Sequence, residues 1–571
     1  MPYLTNDTYE LEKLAHMFLP IFDHYTFQEI LNHFSTSDLD LVQTAREKIA
    51  EHPDHYDLTQ QRTDPWWATL QAQTQTSNIT YHKDVKHILQ MLAKDPILTT
   101  DQQNVFQHIA QEESPLSTIK GNAGTGKSFV TAQLIKALHD HHIKTLVLAP
   151  THVSVTNLNQ LIDVALNERF DQDQEANRLI KKQNNQLTLA TLTSWTYRNS
   201  DVIEDIIKTN QNVKPEFNLI LIDEAFATNS VALINVFVYA FATKTPVILI
   251  GDPNQLSAIS NPSPELFKKL TDDGVLYNAP KLTQVQRTNQ QTIVGLSNSI
   301  LQGDMQAVSQ FYQKPAPLSQ TIPARLMAAQ DFGGTYWLED YLIETLLSQI
   351  QTDAFAGIIL VPTNQVRTNL NNAAQNARIQ TQAISDVNAL TTPDKLKLCI
   401  GDVVMITETQ NVTDYAHIAL TNKALKIRLR GATRVVITDT NPKMTDGTPY
   451  NRFFKSNLQY QDNTYKIEIY SPDLDQTLIV DLFEKSSSGY NPGMYSPDIH
   501  ELYHDLALGY AATVNKVQGL TIPHVQVYID NYYPHLSRNL IYSGVTRAQE
   551  TVSLISNPTV LQRALNKIEN Q

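Results

Sequence analysis

The sequence predicts an α/β protein built on two parallel-sheet domains, with a helical N-terminal region and a small β-barrel inserted into the second domain. Three observations predict this. Short apolar runs alternate with helix-period segments over 96–299 and again from 357 onward, the pattern of strands buried on both faces of a parallel sheet. The stretch Gly121-Asn122-Ala123-Gly124-Thr125-Gly126-Lys127-Ser128 fills the template G-x-x-x-x-G-K-[ST], between an apolar run (Leu116, Ile119) and a helix-period run (Val130, Leu134, Ile135, Leu138). Over 401–501 the alternation gives way to period-two strands separated by turns rich in Gly, Pro and Asn.

Composition sets the outer limits. At 571 residues the chain has room for about three or four domains, each with its own core. Hydrophobic residues make up 42% and charged residues 18%, as in soluble globular proteins. There is no run of about 20 uncharged apolar residues and no basic-then-apolar leader, so no membrane partner and a cytoplasmic location are expected. The net charge of −14 argues against wholesale coating of nucleic acid, yet leaves room for a local cationic channel. The single Cys399 excludes an internal disulfide and a multi-cysteine zinc site; beside Leu396, Leu398 and Ile400 it reads as a core residue.

Residues 1–95 read as a helical accessory domain, because Leu11, Leu14, Ala15 and Phe18 recur at helical spacing, as do Phe27, Ile30, Leu31 and Phe34. Pro20, Pro53 and Pro65 punctuate it, and the adjacent Trp66 and Trp67 suit packing more than base stacking. Residues 96–299 form the first α/β domain, with strands at 116–119, 145–149, 219–222 and 247–250 and a polar insertion at about 157–190. The second domain is split: 300–400, then the barrel at 401–501, then 502–571, which resumes with a helical 506–517 and strands at 525–529 and 552–555.

The chemistry collects where the strands end, as it does in parallel sheets. In the phosphate-binding loop the glycines let successive N–H groups turn toward one anion, Lys127 reaches the β- and γ-phosphates, and Ser128 can ligate Mg²⁺. The strand at 219–222 delivers Asp223 and Glu224. Such a pair divides the work: the first acid holds Mg²⁺ and the second orients and deprotonates the attacking water. Hydrolysis of the nucleotide is therefore expected.

The strand at 247–250 delivers Gly251-Asp252-Pro253-Asn254-Gln255-Leu256, and here the sequence resembles the superfamily 1 helicases, within them the RecD-like branch. Leu98-Thr99-Thr100-Asp101-Gln102, Ala149-Pro150-Thr151-His152, Gln286-Arg287-Thr288, Thr513-Val514-Asn515-Lys516-Val517-Gln518-Gly519 and Tyr542-Ser543-Gly544-Val545-Thr546-Arg547-Ala548 fit the same family in order. The resemblance implies two RecA-like domains with ATP and Mg²⁺ between them. It implies that Gln102 reads the adenine edge, that Gly519 joins the nucleotide-binding set, and that Gln255 senses the γ-phosphate. Arg287 and Arg547 would be arginine fingers neutralising charge on the transferred phosphoryl. Thr151, His152, Asn515 and Lys516 would line the track of a single strand.

The implied activity is that of an ATP-dependent DNA helicase moving 5′ to 3′ on single-stranded DNA and opening a duplex fork. Two alternatives stay open: an RNA helicase, and a nucleic-acid-stimulated ATPase subunit that docks into a protein complex through its N-terminal domain. The family usually has His where Asn515 and Thr193 stand, and its Asn-Gly turn after Gly401-Asp402-Val403-Val404-Met405 is absent, which bears on strand grip more than on ATP turnover. Lys426, Arg428 and Arg430 alternate with Leu425, Ile427 and Leu429, giving a strand whose basic face suits phosphate contact or solvent equally; Arg452-Phe453-Phe454-Lys455 mixes cations with aromatics that suit a buried core more than base stacking.

Overall fold

The computed structural model describes residues 81–567 apart from 113, 167–178, 183–185, 210–212, 258–263, 285–290, 316–321, 417–424, 430, 444–463 and 485–501. Most of the expected helical region, with Trp66 and Trp67, therefore lies outside the described residues, as do Arg287, Arg430 and the Arg452-Phe453-Phe454-Lys455 stretch. Its end is described: helix Lys83–Leu92 buries Val85, Ile88, Leu89 and Leu92 in one core with α1 (Thr100–Glu112) and the first sheet.

Strands β1 (Leu116–Lys120), β2 (Thr145–Ala149), β3 (Leu179–Lys182), β4 (Leu187–Thr191), β5 (Leu219–Ile222), β6 (Val247–Gly251) and β7 (Leu276–Asn278) form the first sheet, in the order β3-β4-β2-β5-β6-β1-β7. All pairs are parallel except β3 with β4. The continuous apolar runs are explained by burial on both faces: every residue of β5 is buried, and each large side chain so buried contributes about 1.5–3 kcal/mol. Helices α2 (Lys127–Asp140), α3 (His152–Leu166), α4 (Leu192–Arg198) and α5 (Ser230–Ala242) cover the sheet.

The insertion expected at 157–190 is smaller than its polarity suggests. Leu158 and Ile162, four apart on α3, are buried against the sheet, so that helix is an ordinary crossover, and β4 is a core strand. Only the excursion between α3 and β4, with β3 as its antiparallel edge strand, remains.

The second half opens with β8 (Ala324–Ala328), α6 (Thr335–Gln349), β9 (Gly357–Val361) and α7 (Asn364–Gln380). An antiparallel excursion follows: β10 (Ser385–Thr391) with β11 (Lys397–Ile400), β12 (Val403–Ile406), β13 (Gln410–Asp414) with β14 (Leu425–Leu429), β15 (Arg434–Asp439), β16 (Thr464–Ser471), β17 (Gln476–Glu484) and β18 (Leu506–Leu508). Within it β17-β16-β15-β12-β18 form one sheet. The chain then returns through β19 (Ala511–Thr513), β20 (Ile522–Ile529), α8 (Arg538–Val545) and β21 (Ala548–Ser556), closing a parallel sheet in the order β19-β9-β20-β21-β8.

Three expectations need correcting here. The helix expected at 506–517 is β18, β19 and a short 3-10 turn, Val514–Val517, because pairing with β12 and β9 overrides the helix preference of Leu and Ala. Gly509 fits this: a β-carbon there would lie 3.1 Å from Val403 Cγ1 and 3.2 Å from the Val404 carbonyl carbon. The excursion runs wider than 401–501, since β10 begins it at Ser385 and β18 still belongs to it. Finally, helix Gln291–Gln302, assigned by the sequence to the first domain, places Ile293, Leu296 and Ile300 in the core of the second.

The excursion is fastened to the second parallel sheet. Arg434 on β15, buried and pushed down to about 10 by that burial, donates to the carbonyls of Gly357 and Phe355 where β9 begins. Asp402, fully buried, accepts from Tyr510 at 2.7 Å, Gln375 at 2.6 Å and the Cys399 amide at 2.7 Å. Cys399 itself is a buried core residue. On β14, Ile427 and Leu429 are buried, as the expected apolar face requires.

Candidate nucleotide site and nucleic-acid face

The parallel register of β2, β5, β6 and β1 brings Thr151, Asp223, Gly251 and Gly121 to one edge of the first sheet. Gly121 is glycine because the loop closes on it: a β-carbon would lie 2.4 Å from Thr125 Oγ1 and 3.0 Å from Leu282 Cβ. Gly124 and Gly126 take φ of 81° and 80°, the left-handed region, and Gly126 hands the chain to α2. Lys127 Nζ donates to the carbonyls of Gly121 at 2.9 Å and Asn122 at 3.1 Å, so its charge lies over the loop. Ser128 is exposed at the helix start.

Gln102 is buried. Its amide nitrogen donates to Thr125 O at 3.4 Å and its oxygen accepts from Thr99 N at 3.1 Å, which ties α1 to the phosphate loop. Its neighbour Asp101 accepts from the amides of Thr283 at 2.8 Å and Gln284 at 2.9 Å, just ahead of the Arg287 segment. Desolvation raises the Asp101 carboxyl, but the bonds from Gln284, Thr99, Thr283 and Gln102 together hold it below its ordinary value.

At the end of β5, Asp223 is buried and its carboxyl is pushed up to about 7, first by desolvation and then by the charge of Glu224; Lys127 partly offsets this. Glu224 has φ 49° and ψ 37°, a left-handed backbone that costs a non-glycine residue about 1–3 kcal/mol. Behind it, a β-carbon on Gly251 would lie 2.9 Å from Phe226 Cδ2.

The second domain reaches this edge through α8. Asn539, Tyr542 and Ser543 share one helix face. Asn539 Nδ2 donates to Asn254 O at 3.1 Å, Leu256 N donates to Ser543 Oγ at 2.8 Å, and Ala123 N donates to the Tyr542 hydroxyl at 2.9 Å. That hydroxyl donates in turn to Asp252 at 2.6 Å. Asn254 Nδ2 donates to Asn122 Oδ1 at 3.0 Å, and Asn122 Nδ2 to Asn298 Oδ1 at 3.5 Å. Gln518 Nε2 donates to Leu256 O at 2.8 Å, while Asn157 Nδ2 donates to the carbonyl of Gly519, which has φ 83°. Leu256 itself is buried in the second domain's core.

Gln255, at 7% exposed, sits in the turn closed by its own amide on Asp252 O at 3.2 Å. Arg547 is equally buried; its guanidinium donates to Ser543 O at 3.0 Å, Leu520 O at 3.3 Å and Thr546 Oγ1 at 3.3 Å. Its charge favours ionisation of Tyr542, although burial and Asp252 dominate and push that phenol up. Lys127, Asp223, Glu224 and Gln255 thus lie at one end of the sheet, with Arg547 two residues past the end of the helix docked against it, whereas Arg287 falls outside the described residues.

Sequence reasoning missed Tyr542, Ser543, Asn539, Asn122 and Asn254 as interface residues. The available signal was their spacing, three polar side chains on one face of an otherwise apolar helix.

Among the residues expected to line a strand, Thr151 is exposed and its hydroxyl accepts from Ser154 N at 3.1 Å, turning the chain into α3, with His152 half-buried. Thr191 caps α4 in the same manner and leaves Thr193 exposed on the neighbouring strand end. In the second domain Lys516 is exposed and donates to Thr407 O at 3.0 Å, while Asn515 carries a buried amide oxygen without a hydrogen-bond partner.

The AAA domain family matches residues 97–319, and the UvrD-like helicase C-terminal domain family matches residues 508–555. No curated protein sequence matches the chain. Similar solved structures include a Pif1 helicase from Candida albicans, at 15% identity over 82% of this chain and 96% of that one, with a TM-score of 0.43. Another is a Pif1 helicase from Bacteroides in complex with ADP-AlF3 and ssDNA, at 15% identity over 81% of this chain and 92% of that one, with a TM-score of 0.39.

Proposed function

We propose, from the premise that the chain belongs to the superfamily 1 helicases of the RecD-like branch and hydrolyses ATP, that it moves 5′ to 3′ along single-stranded DNA and opens duplex at a fork. The observation that carries this reading is the seam itself. A helix of the second domain is hydrogen-bonded to the phosphate loop through Ala123 and to the 252–256 turn through Leu256, so a nucleotide held by that loop bears on both domains. Opening and closing that seam is what a motor needs.

In this reading Gly121, Asn122, Ala123, Gly124, Thr125 and Gly126 cradle the phosphates, with Gly519 facing them, and Lys127 neutralises the β- and γ-phosphates. Gln102 reads adenine after giving up its bond to Thr125. Glu224 orients water, Gln255 senses the γ-phosphate, and Arg287 and Arg547 stabilise charge on the phosphoryl group in transit. Ser128 and Asp223 would hold Mg²⁺, which when bound neutralises phosphate charge. Their oxygen donors suit a hard cation, and a buried carboxylate whose ionisation is resisted fits a site completed by positive charge.

Thr151 and His152 from one domain and Asn515 and Lys516 from the other would grip the strand in turn. We read the antiparallel excursion as a small barrel beside that track, and residues 1–95 as a helical module suited to a protein partner. Strand displacement on duplexes with a 5′ or a 3′ tail tests the reading: unwinding from the 5′ tail alone is expected, and unwinding from the 3′ tail alone would overturn the polarity.

A further inference from the structure

The Tyr542 hydroxyl is one atom shared by three pieces of chain, α8, the phosphate loop and the 252–256 turn. It accepts the Ala123 N–H of the phosphate loop at 2.9 Å and sits 2.6 Å from Asp252 Oδ2. An N–H can only donate, so the phenol proton goes to the carboxylate. The other oxygen of Asp252 accepts from Asn254 N at 3.0 Å and shapes the turn that presents Gln255. Tyr542 and Asp252 are each 1% exposed, so neither bond is exchanged with bulk water while the seam is closed.

We propose that Tyr542 is a positioning residue for ATP hydrolysis: its paired bonds hold α8, and Arg547 at the end of that helix, against the phosphate loop and the Gln255 turn. The proposal rests on the reading of Arg547 as the cation that meets the transferred phosphoryl. When the domains part, an amide and a buried carboxylate lose their partner together, so the hydroxyl biases the seam toward the closed arrangement. Phenylalanine fills the same space but leaves both groups unpaired on closure. The closed fraction then falls, and with it kcat, while the loop that binds nucleotide is intact.

The test uses the full chain. Tyr542→Phe is expected to lower kcat about tenfold, with and without single-stranded DNA, while the affinity for a fluorescent ADP analogue changes by less than about twofold. Asp252→Asn, which keeps the shape of the acceptor without its charge, weakens one of the two bonds that Tyr542→Phe removes, so it should lower kcat as well, and the double variant should cost little more than Tyr542→Phe alone. A Tyr542→Phe kcat within about twofold of the parent would overturn the proposal, as would additive losses in the double variant. So would a parallel loss of ADP affinity and melting temperature, which marks a merely structural role. If single-stranded DNA fails to stimulate the parent protein, the motor reading falls; the Tyr542 effect is still read on the basal rate.

Discussion

The side-chain amide of Gln518 donates to the carbonyl of Leu256 at 2.8 Å, joining the segment that carries Asn515 and Lys516 to the end of the turn that carries Gln255. Leu256 also buries its side chain in the second domain's core, so this turn is held by the domain opposite its own. In the proposed motor, a strand gripped near Lys516 would act on the turn that carries Gln255 through one hydrogen bond and one packed leucine. Gln518→Ala is expected to keep the basal ATPase and reduce its stimulation by single-stranded DNA about three- to tenfold, the effect of one lost hydrogen bond. ATPase assays with and without a DNA oligonucleotide check this; full stimulation would show that coupling runs elsewhere.

Lys127→Ala removes the cation that lies over the phosphate loop, 2.9 Å from Gly121 O. Turnover should fall by at least about a hundredfold, with weakened ATP binding, because charge on the phosphates loses its nearest neutralising group. A rate within a few-fold of the parent in a phosphate-release assay would contradict the assignment.

Glu224→Gln keeps the size and the strained turn while removing the carboxylate proposed as the base. Nucleotide affinity should be retained and hydrolysis should drop by about 10²–10⁴, the usual contribution of a general base. Equilibrium binding and single-turnover hydrolysis measured on the same preparation separate the two effects, and unimpaired hydrolysis would reassign the role.

Asp223 supplies the pH dependence. Its carboxyl is raised in the folded protein to about 7, so between its ordinary value and about 7 the folded chain holds a proton that the unfolded chain releases. That contribution to stability is full at low pH and is lost as pH rises through the folded value. Mg²⁺ held as proposed would take the carboxylate and displace the proton, so affinity for Mg²⁺ in the presence of nucleotide should rise about tenfold between pH 6 and pH 8 and then level. Half-saturating Mg²⁺ for ATPase, measured across that range, checks it; a Glu224→Gln background should move the rise to lower pH, since it removes a charge that opposes ionisation.

How far the site was legible follows from where its information is stored. The phosphate loop, the acid pair and the strands that deliver them are local: glycines at left-handed positions and fully buried apolar runs leave a continuous signature in the chain. The seam is not local. Tyr542 meets Ala123 and Asp252 only after both sheets have formed; the spacing of Asn539, Tyr542 and Ser543 marks a shared helix face but not what that face meets. The misread segments share a cause. In 506–517, Leu and Ala favour helix in isolation and pairing with β12 and β9 decides otherwise; in α3, the polar and charged composition of 157–187 as a whole hid the buried pair Leu158 and Ile162. Helix Gln291–Gln302 carries an apolar stripe that fits either core, and only the packed structure assigns it to the second domain.

A motor of this kind needs Arg547 to meet the nucleotide across the seam. Its guanidinium is satisfied by Ser543 O, Leu520 O and Thr546 Oγ1 and lies beside the helix face that carries Tyr542. The most direct measurement is the single-turnover rate of ATP hydrolysis by Arg547→Ala with single-stranded DNA bound. The expected result is a fall of about 10³ in rate with nucleotide affinity within a few-fold of the parent, as for other residues that act on the transition state alone. An unchanged rate would contradict the two-walled site and, with it, the motor.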